Sequence, residues 1–430
     1  MRGKRSRRQV DRLENILILL LVCSALFLLH RTGIFQSITG QGTGGGSESF
    51  LTGVQDTALA RGTPVRLMVQ TSAGRYGVQY DQEKVDSLYQ QDLNDLLMAS
   101  VDAMDSVKEV SQETWQQAVT QSSAWVYYDF LYDVSFTGQS SRGEGAARRY
   151  LITGRNGRAE SVYYYNEGSE TYYQGQLRES GLPLPEALES LPTNQGRFAF
   201  EDGELSQLLA PDMMLLSQSI LCPVYTASNP VADWGAEERE DLLNALDFNL
   251  RASAIYETAD GTVIQEGSDT LRIQKSGKVI FHGAESGEAR FQALSAREKD
   301  LQIKAEELLA AVAQGEAGEG RMLCQAIETL ADGSVELRFC RLLGGAEVQV
   351  WEEGWSARFV FSGSSLTGFT IYLREYTPTG QTRGVLLERQ AAAAAAAQGQ
   401  TGKELQIYYP DNAASELRPG WSVRENHKEG

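Results

Sequence analysis

An apolar run near the N-terminus constrains this chain more than any other feature of its sequence. The run occupies Ile16–Leu29, behind a tail with six basic residues in its first fourteen positions. As a helix it would span about 21 Å, short of the roughly 30 Å hydrocarbon core of a bilayer. A helix that continues past His30 and Arg31, whose side chains extend to the interface, gains the missing length. The sequence therefore predicts a transmembrane helix at residues 16–36, after a cytoplasmic tail at residues 1–15.

Two other interpretations of this run remain open. Its length fits the apolar part of a cleaved signal peptide, but the A-x-A pattern that suits cleavage occurs far downstream, at Ala58–Ala60. A lipoprotein would be modified at Cys23, although Val22 before it is not a small residue. Because the basic residues precede the run, the tail is expected to stay in the cytoplasm. The predicted location is thus the cell membrane, with a single span and the bulk of the chain extracytoplasmic.

The rest of the chain is long and acidic. Its 430 residues are enough for two or three domains, and a hydrophobic content of 42% supports folded cores. Beyond the first fourteen residues, 55 acidic residues oppose 33 basic ones, which gives a net charge near −22. Such a surface repels nucleic acid and other polyanions, so we expect no nucleic-acid partner.

Turn signals and composition divide the chain after the predicted span. A Gly/Ser-rich stretch at Gly40–Ser49 indicates a flexible linker. Pro183 and Pro185 indicate a boundary, and beyond it the order of hairpins, helix and hairpins occurs twice. We predict a linker at 37–60 and three α+β domains at 61–185, 186–290 and 291–430.

Hydrophobic periodicity predicts an α+β fold. Residues 81–121 carry a helical apolar stripe, and aromatic and β-branched strand segments follow. The Asn156-Gly157 pair and several Asp-Gly pairs indicate tight hairpin turns. Further helices are expected at Trp234–Phe248 and after Ser295. The predicted ectodomain consists of antiparallel, hairpin-built sheets with a few packed helices, in several domains.

Three further patterns have structural interpretations. The many tyrosines are expected to pack a sheet, with an aromatic binding platform as the alternative. The alanine run at Ala391–Ala397 predicts an exposed helix with little packing. A hairpin centred on Asp332 would place Cys324 opposite Cys340, so a cross-strand disulfide and two buried thiols are both open.

Residues for catalysis are scarce. Beyond the membrane edge the histidines are His282 and His427, which leaves little material for a metal site or a Ser-His triad. The S-x-x-K, G-x-S-x-G, H-E-x-x-H and P-loop motifs do not occur in the sequence. Carboxylate pairs such as Glu237-Glu238 are expected in so acidic a chain and do not by themselves indicate a glycosidase. We predict a protein that is not an enzyme and assign no catalytic, metal or cofactor residue.

Two segments carry a resemblance to a known family. The segment Asn229–Gly283 resembles the YycH family, also called WalH. The segment Leu405–Val423 resembles the closing strands of YycH and of its relative YycI. The residues that carry the resemblance are Leu246, Phe248 and Asn249 at the end of a helix, Tyr256, Glu257, Asp260, Gly261 and Thr262 in a hairpin, and Leu417, Pro419 and Trp421 in an L-x-P-x-W phrase.

The resemblance implies an extracytoplasmic accessory regulator of a two-component sensor histidine kinase. The kinase would be of the WalK/YycG type, which governs cell-wall metabolism in low-GC Gram-positive bacteria, and a YycI-like protein would be a second partner. Contacts would be made by the ectodomain and by the transmembrane helix. In that helix Cys23, Ser24 and Ala25 are small-residue candidates for helix contacts, although they could also simply face lipid. The alternative function is an anchored extracellular binding module for a small molecule or a cell-wall fragment.

Overall fold

The computed structural model describes most of the chain beyond the predicted linker. The predicted tail, transmembrane helix and linker lie outside the described residues, and so do Cys23, Ser24 and Ala25. Among the residues described, no helix is both long and apolar enough to cross a bilayer. The described ranges are 63–134, 147–166, 169–178, 182–217, 219–283, 289–313, 319–350, 353–413 and 415–424.

The described residues form sheets that are almost entirely antiparallel, together with a few helices, as the α+β prediction requires. The α-helices are α1 (Gln82–Leu88), α2 (Asn94–Asp102), α3 (Gln112–Gln121), α4 (Ala236–Ala245), α5 (Glu298–Ala313) and α6 (Glu388–Ala397). A π-helical turn at Tyr89–Leu93 joins α1 to α2.

A seven-stranded sheet comes first in the chain, with the strand order β2-β1-β4-β5-β6-β7-β3. Its strands are β1 (Arg66–Thr71), β2 (Gly74–Gln79), β3 (Met104–Val110), β4 (Ala124–Val134), β5 (Ala147–Arg155), β6 (Arg158–Asn166) and β7 (Thr171–Leu177).

Both faces of this sheet are covered, which explains its unusual run of aromatic residues. In β4 the side chains of Val126, Tyr128 and Phe130 belong to the core that includes α1 and α2. Those of Trp125 and Tyr127 alternate to the opposite face, where α3 packs. All five are at most 1% exposed, so these tyrosines pack the sheet, as predicted, and do not form a binding platform.

An eleven-stranded sheet follows. Ten of its strands have the order β11-β12-β13-β14-β19-β18-β16-β17-β21-β23, and the eleventh, β15, pairs with β16 outside this linear order. The strands are β11 (Ala254–Thr258), β12 (Gly261–Glu266), β13 (Asp269–Gln274), β14 (Lys278–His282), β15 (Arg321–Thr329), β16 (Val335–Leu343), β17 (Ala346–Val350), β18 (Ala357–Ser362), β19 (Ser365–Tyr372), β21 (Glu404–Asp411) and β23 (Gly420–Arg424). Helices α4 and α5 pack on one face over a continuous apolar core.

The domain boundary predicted at residue 290 falls inside this sheet. Strand β14 precedes the boundary and pairs antiparallel with β19, which follows it, from Lys278–Tyr372 to His282–Gly368. The local turn signals identified each hairpin but carry no information about a pairing across so long a connection. The described residues belong to one compact unit that comprises Ser49–Gly430.

Smaller elements join the two large sheets. A connector at residues 182–217 contains short helical turns and the two-stranded pair of β8 (Arg197–Phe198) and β9 (Met214–Leu215). A three-stranded sheet has the order β20-β10-β22, formed by β10 (Leu221–Ser228), β20 (Glu375–Gly384) and β22 (Glu416–Leu417).

Helix α6, which contains the alanine run, is not the exposed helix that the sequence predicted. Its Ala391, Ala392 and Ala395 are buried against Leu205 and Leu209 of the connector. Short alanine side chains allow the helix backbone to approach these partners closely, which composition alone does not reveal. The remaining alanines of the run are largely open to solvent.

The structure does not place Cys324 opposite Cys340. Near its turn the β15–β16 hairpin keeps the register that a centre at Asp332 predicts. An irregularity after Cys324 then shifts the register by one residue, so Cys324 pairs with Phe339, and Cys340 pairs with Leu323. Of the two alternatives that the sequence left open, the structure has two thiols rather than a disulfide, with Cys340 buried and Cys324 half-buried.

Candidate functional site

A groove of about 630 Å³ lies beside helix α6. We call it the α6 groove. The residues that line it include Val385, Leu386, Ala391, Ala395, Leu405 and Trp421. Its lining combines alanines of α6 with Pro419 and the adjoining residues of β23. Clefts of several hundred Å³ lined by apolar groups with a few polar groups are typical of binding sites.

Trp421 forms one wall of the α6 groove and is held in a fixed orientation. Its indole Nε1–H donates a hydrogen bond of 2.8 Å to the carbonyl oxygen of Leu386. Pro419, two residues earlier, also lines the groove. The three residues of the L-x-P-x-W phrase thus have different surroundings. Leu417 is fully buried in the core, whereas Pro419 and Trp421 line the groove.

The polar groups of the α6 groove are hydrogen-bond donors and amides. They belong to Arg383, Gln398, Gln400 and Ser422, and no carboxylate is among the described residues that line this groove. In a chain with 57 acidic residues this local chemistry is unusual. The described lining therefore adds no negative charge that would repel an anionic binding partner locally.

A smaller cavity of about 280 Å³ adjoins the groove and shares Leu386 and Trp421 with it. Glu388, in the first turn of α6, lies against this cavity and is buried. The hydrogen bonds that its carboxylate accepts are long, 3.3 and 3.4 Å from the N–H of Leu216 and 3.5 Å from the side-chain amide of Gln79. Burial raises the pKa of Glu388 to about 7.

Three exposed leucines, which we call the leucine rim, lie at or next to the α6 groove. Leu386 lines the groove, Leu387 lines the adjoining cavity, and Leu221 pairs with Gly384, another residue of the groove lining. Leu221, Leu386 and Leu387 are between 48 and 64% exposed. The Cδ2 of Leu221 would lie 3.6 Å from a Cβ at Gly384. A cluster of exposed apolar side chains beside a cleft is typical of a surface that another molecule covers.

A second unusual feature, a buried ionic cluster, is structural. Arg66 contacts both Asp129 and Glu404 at 2.8 Å. Arg148 and Arg149 also contact Glu404, and all five side chains are at most 6% exposed. Burial alone would raise the pKa of Glu404, but Arg149 and Arg66 hold it below its usual value. The cluster joins the seven-stranded sheet to β21 and offers no access to a ligand.

Sequence reasoning found some of these residues but did not bring them together. It singled out Trp421 and the alanine run separately and missed the α6 groove that they share. Cys324 and Cys340 do not line the groove. The buried cluster had a usable signal in Arg148-Arg149, a charged pair at the start of a strand whose neighbours are apolar and aromatic.

The described part of the chain contains no group of three His, Cys, Asp or Glu side chains placed to hold a metal ion. Comparisons with known proteins identify no relative. No family model matches the chain, and there is no significant match among curated proteins or solved structures.

Proposed function

We propose that this protein is a membrane-anchored extracytoplasmic regulator that acts through protein contacts on a two-component sensor histidine kinase. The kinase would be of the WalK/YycG type, and a YycI-like protein would be a further partner. The anchor would be the helix at residues 16–36, with the ectodomain outside the cell. This proposal rests first on the resemblance of Asn229–Gly283 and Leu405–Val423 to the YycH family.

The observation that supports protein contact most directly is the leucine rim of the α6 groove. The rim combines three exposed leucines with a cleft whose wall is Trp421, a residue of the resembling phrase. Tryptophan is one of the side chains that dominate the binding energy of protein interfaces. Burying one leucine contributes about 1.5–3 kcal/mol, so the rim alone could contribute a tenfold or greater preference for one partner state.

Such a preference is sufficient for regulation. A partner shifts a two-state kinase only through its differential affinity for the two states, and about 1.4 kcal/mol changes their ratio tenfold. Packing of the transmembrane helix against a kinase helix, with Cys23, Ser24 and Ala25 as the small residues, would add to the ectodomain contact.

The α6 groove also favours a second candidate function. Its volume of about 630 Å³ is within the range of sites for small ligands, and Arg383, Gln398 and Gln400 supply polar groups. An anchored binding module for a small molecule or a wall fragment would use the groove itself, whereas the regulator would use the rim.

A pull-down from membranes separates the two functions. The full-length chain is compared with the rim variant Leu386→Ser and with Leu294→Ser, a matched change at a leucine that is 90% exposed and outside the groove. If the protein is a kinase regulator, a histidine kinase and a YycI-like protein should copurify with the parent and with Leu294→Ser. Leu386→Ser should reduce their recovery about tenfold. Recovery of neither protein under crosslinking would count against it.

The anchor is tested by exchange. Residues 16–36 are replaced by an unrelated spanning helix, and display of the ectodomain is verified at the cell surface. If the native helix contributes to regulation, kinase-dependent transcription should change in the exchanged strain. Unchanged transcription would leave only the ectodomain contact.

A further inference from the structure

Strand β11 forms one end of the eleven-stranded sheet and has β12 as its neighbour on one side. All five of its residues are exposed, on both faces of the sheet. Ile255 and Tyr256 are 50% and 53% exposed. The backbone of the outer side of β11 therefore presents hydrogen-bonding groups beside apolar side chains, which is a template for pairing with another strand.

Among the described residues, two other edge strands, β2 and β3, have features that hinder pairing with a further strand, and β11 lacks these features. On β2 the N–H of Gly77 donates to Asn194 Oδ1 at 2.8 Å, and the N–H of Asn194 donates to the carbonyl of Arg75 at 2.9 Å. Strand β3 carries Lys108 and has an irregular register against β7. Strand β11 contains no lysine or proline and pairs with β12 in a continuous register. Natural sheets rarely leave a regular apolar edge uncovered.

The β11–β12 hairpin fixes which backbone groups face outward. Thr258 and Gly261 flank its two-residue turn and are paired. The residue before such a turn directs its N–H and C=O to the partner strand, and the direction alternates along the strand. Ile255 and Glu257 therefore direct their backbone groups away from β12.

We propose that β11 pairs antiparallel with β11 of a second copy of this chain, about a twofold axis at Tyr256. In this register Ile255 of each copy lies opposite Glu257 of the other, and all five residues overlap. The outward groups then exchange about four backbone hydrogen bonds. The interface is isologous, and one sheet runs through both copies.

Charge and register favour a second copy in this arrangement. A symmetric register centred on Glu257 would place two like charges opposite each other, which is unfavourable in a sheet, and it would overlap fewer residues. The register centred on Tyr256 avoids this contact. Antiparallel pairing also brings the start of one β11, three residues after the exposed Arg251, to the end of the other, two residues before the exposed Asp260. Each copy thus supplies one cation and one anion at the two ends of the paired strands.

The dimer is independent of the α6 groove and of the anchor, which involve other residues. A five-residue strand pair is a small interface, so we expect a weak dimer in dilute solution. Confinement to a membrane would raise its effective concentration and its population.

Cysteine crosslinking tests the register. At a twofold axis between antiparallel strands the two Cα atoms are about 4.5 Å apart, which is within the range for a disulfide. The full-length chain in detergent, with Cys23→Ser as background, is oxidised with copper phenanthroline after Tyr256→Cys. The control is Leu294→Cys, a more exposed position outside β11. The expected result is at least tenfold more disulfide-linked dimer for Tyr256→Cys than for the control.

A proline substitution provides a second measurement that does not depend on oxidation. Ile255→Pro removes an outward N–H and leaves the hydrogen bonds to β12 intact, because proline is tolerated on that side of an edge strand. Sedimentation equilibrium should show the dissociation constant raised at least tenfold by Ile255→Pro and little changed by Ile255→Val. Equal crosslinking at positions 256 and 294, a parent that stays monomeric at the highest concentration measured, or crosslinking of Tyr256→Cys to a different protein would each overturn the proposal.

Discussion

Substituting Glu404 by glutamine should destabilise the protein severely, because this carboxylate contacts three buried arginines and the other buried carboxylates of the cluster, Asp129 and Asp212, do not compensate for its loss. It contacts Arg66 at 2.8 Å and also contacts Arg148 and Arg149, and every member of the group is at most 6% exposed. Glu404→Gln keeps the size of the side chain but leaves the buried guanidinium groups with an excess positive charge. Removing one partner from a buried ionic group typically costs about 3–5 kcal/mol.

Guanidinium denaturation of the full-length chain, followed by tryptophan fluorescence, measures this loss. Glu416→Gln is the matched control, because Glu416 pairs with Arg418 at the surface, where such pairs contribute about 0–1 kcal/mol. We expect a loss of about 3–5 kcal/mol in the free energy of unfolding for Glu404→Gln and less than about 1 kcal/mol for Glu416→Gln. A loss below about 1 kcal/mol at Glu404 would refute the reasoning that the cluster holds the seven-stranded sheet against β21.

Three further substitutions test other parts of the structure. Burial raises the pKa of Glu388 to about 7 from an unfolded value near 4.3, so the folded state binds the extra proton and loses stability as pH rises between these values. Glu388→Gln should therefore raise the melting temperature more at pH 8 than at pH 5, and an equal effect at both pH values would contradict this pKa. Ala392→Leu places a larger side chain in a fully buried position, and denaturation should show a loss of about 1–3 kcal/mol. Gly261→Ala would put a Cβ 2.0 Å from the carbonyl oxygen of Ile273, so we expect a lower melting temperature, whereas an unchanged one would contradict the hairpin geometry.

Local sequence signals predicted the elements of the fold well. The hairpin from β11 to β12 has its two-residue turn at Ala259 and Asp260, so the Asp260-Gly261 pair that the sequence singled out lies at the turn and the start of β12. The helix expected at Trp234–Phe248 is α4, Ala236–Ala245. These features depend on residues that are neighbours in the chain, whose turn chemistry and periodicity are visible in the sequence.

Long-range contacts could not be predicted in the same way. The pairing of β14 with β19 joins segments about ninety residues apart, and no local pattern specifies it. A shift of one residue next to Cys324 was enough to separate the two cysteines, because a bulge leaves little trace in composition. The α6 groove also depends on segments that are distant in the sequence, because its lining combines alanines of α6 with Trp421 of β23.

Site-specific photocrosslinking in living cells tests most directly whether the α6 groove contacts the signalling partners. A photoreactive amino acid is incorporated in place of Leu386 and, as the control, in place of Leu294, and crosslinked products are identified by mass spectrometry. The proposed function predicts that a sensor histidine kinase or a YycI-like protein is captured from position 386 and is at least tenfold less abundant from position 294. Capture of neither protein at position 386, or equal capture at both positions, would contradict it.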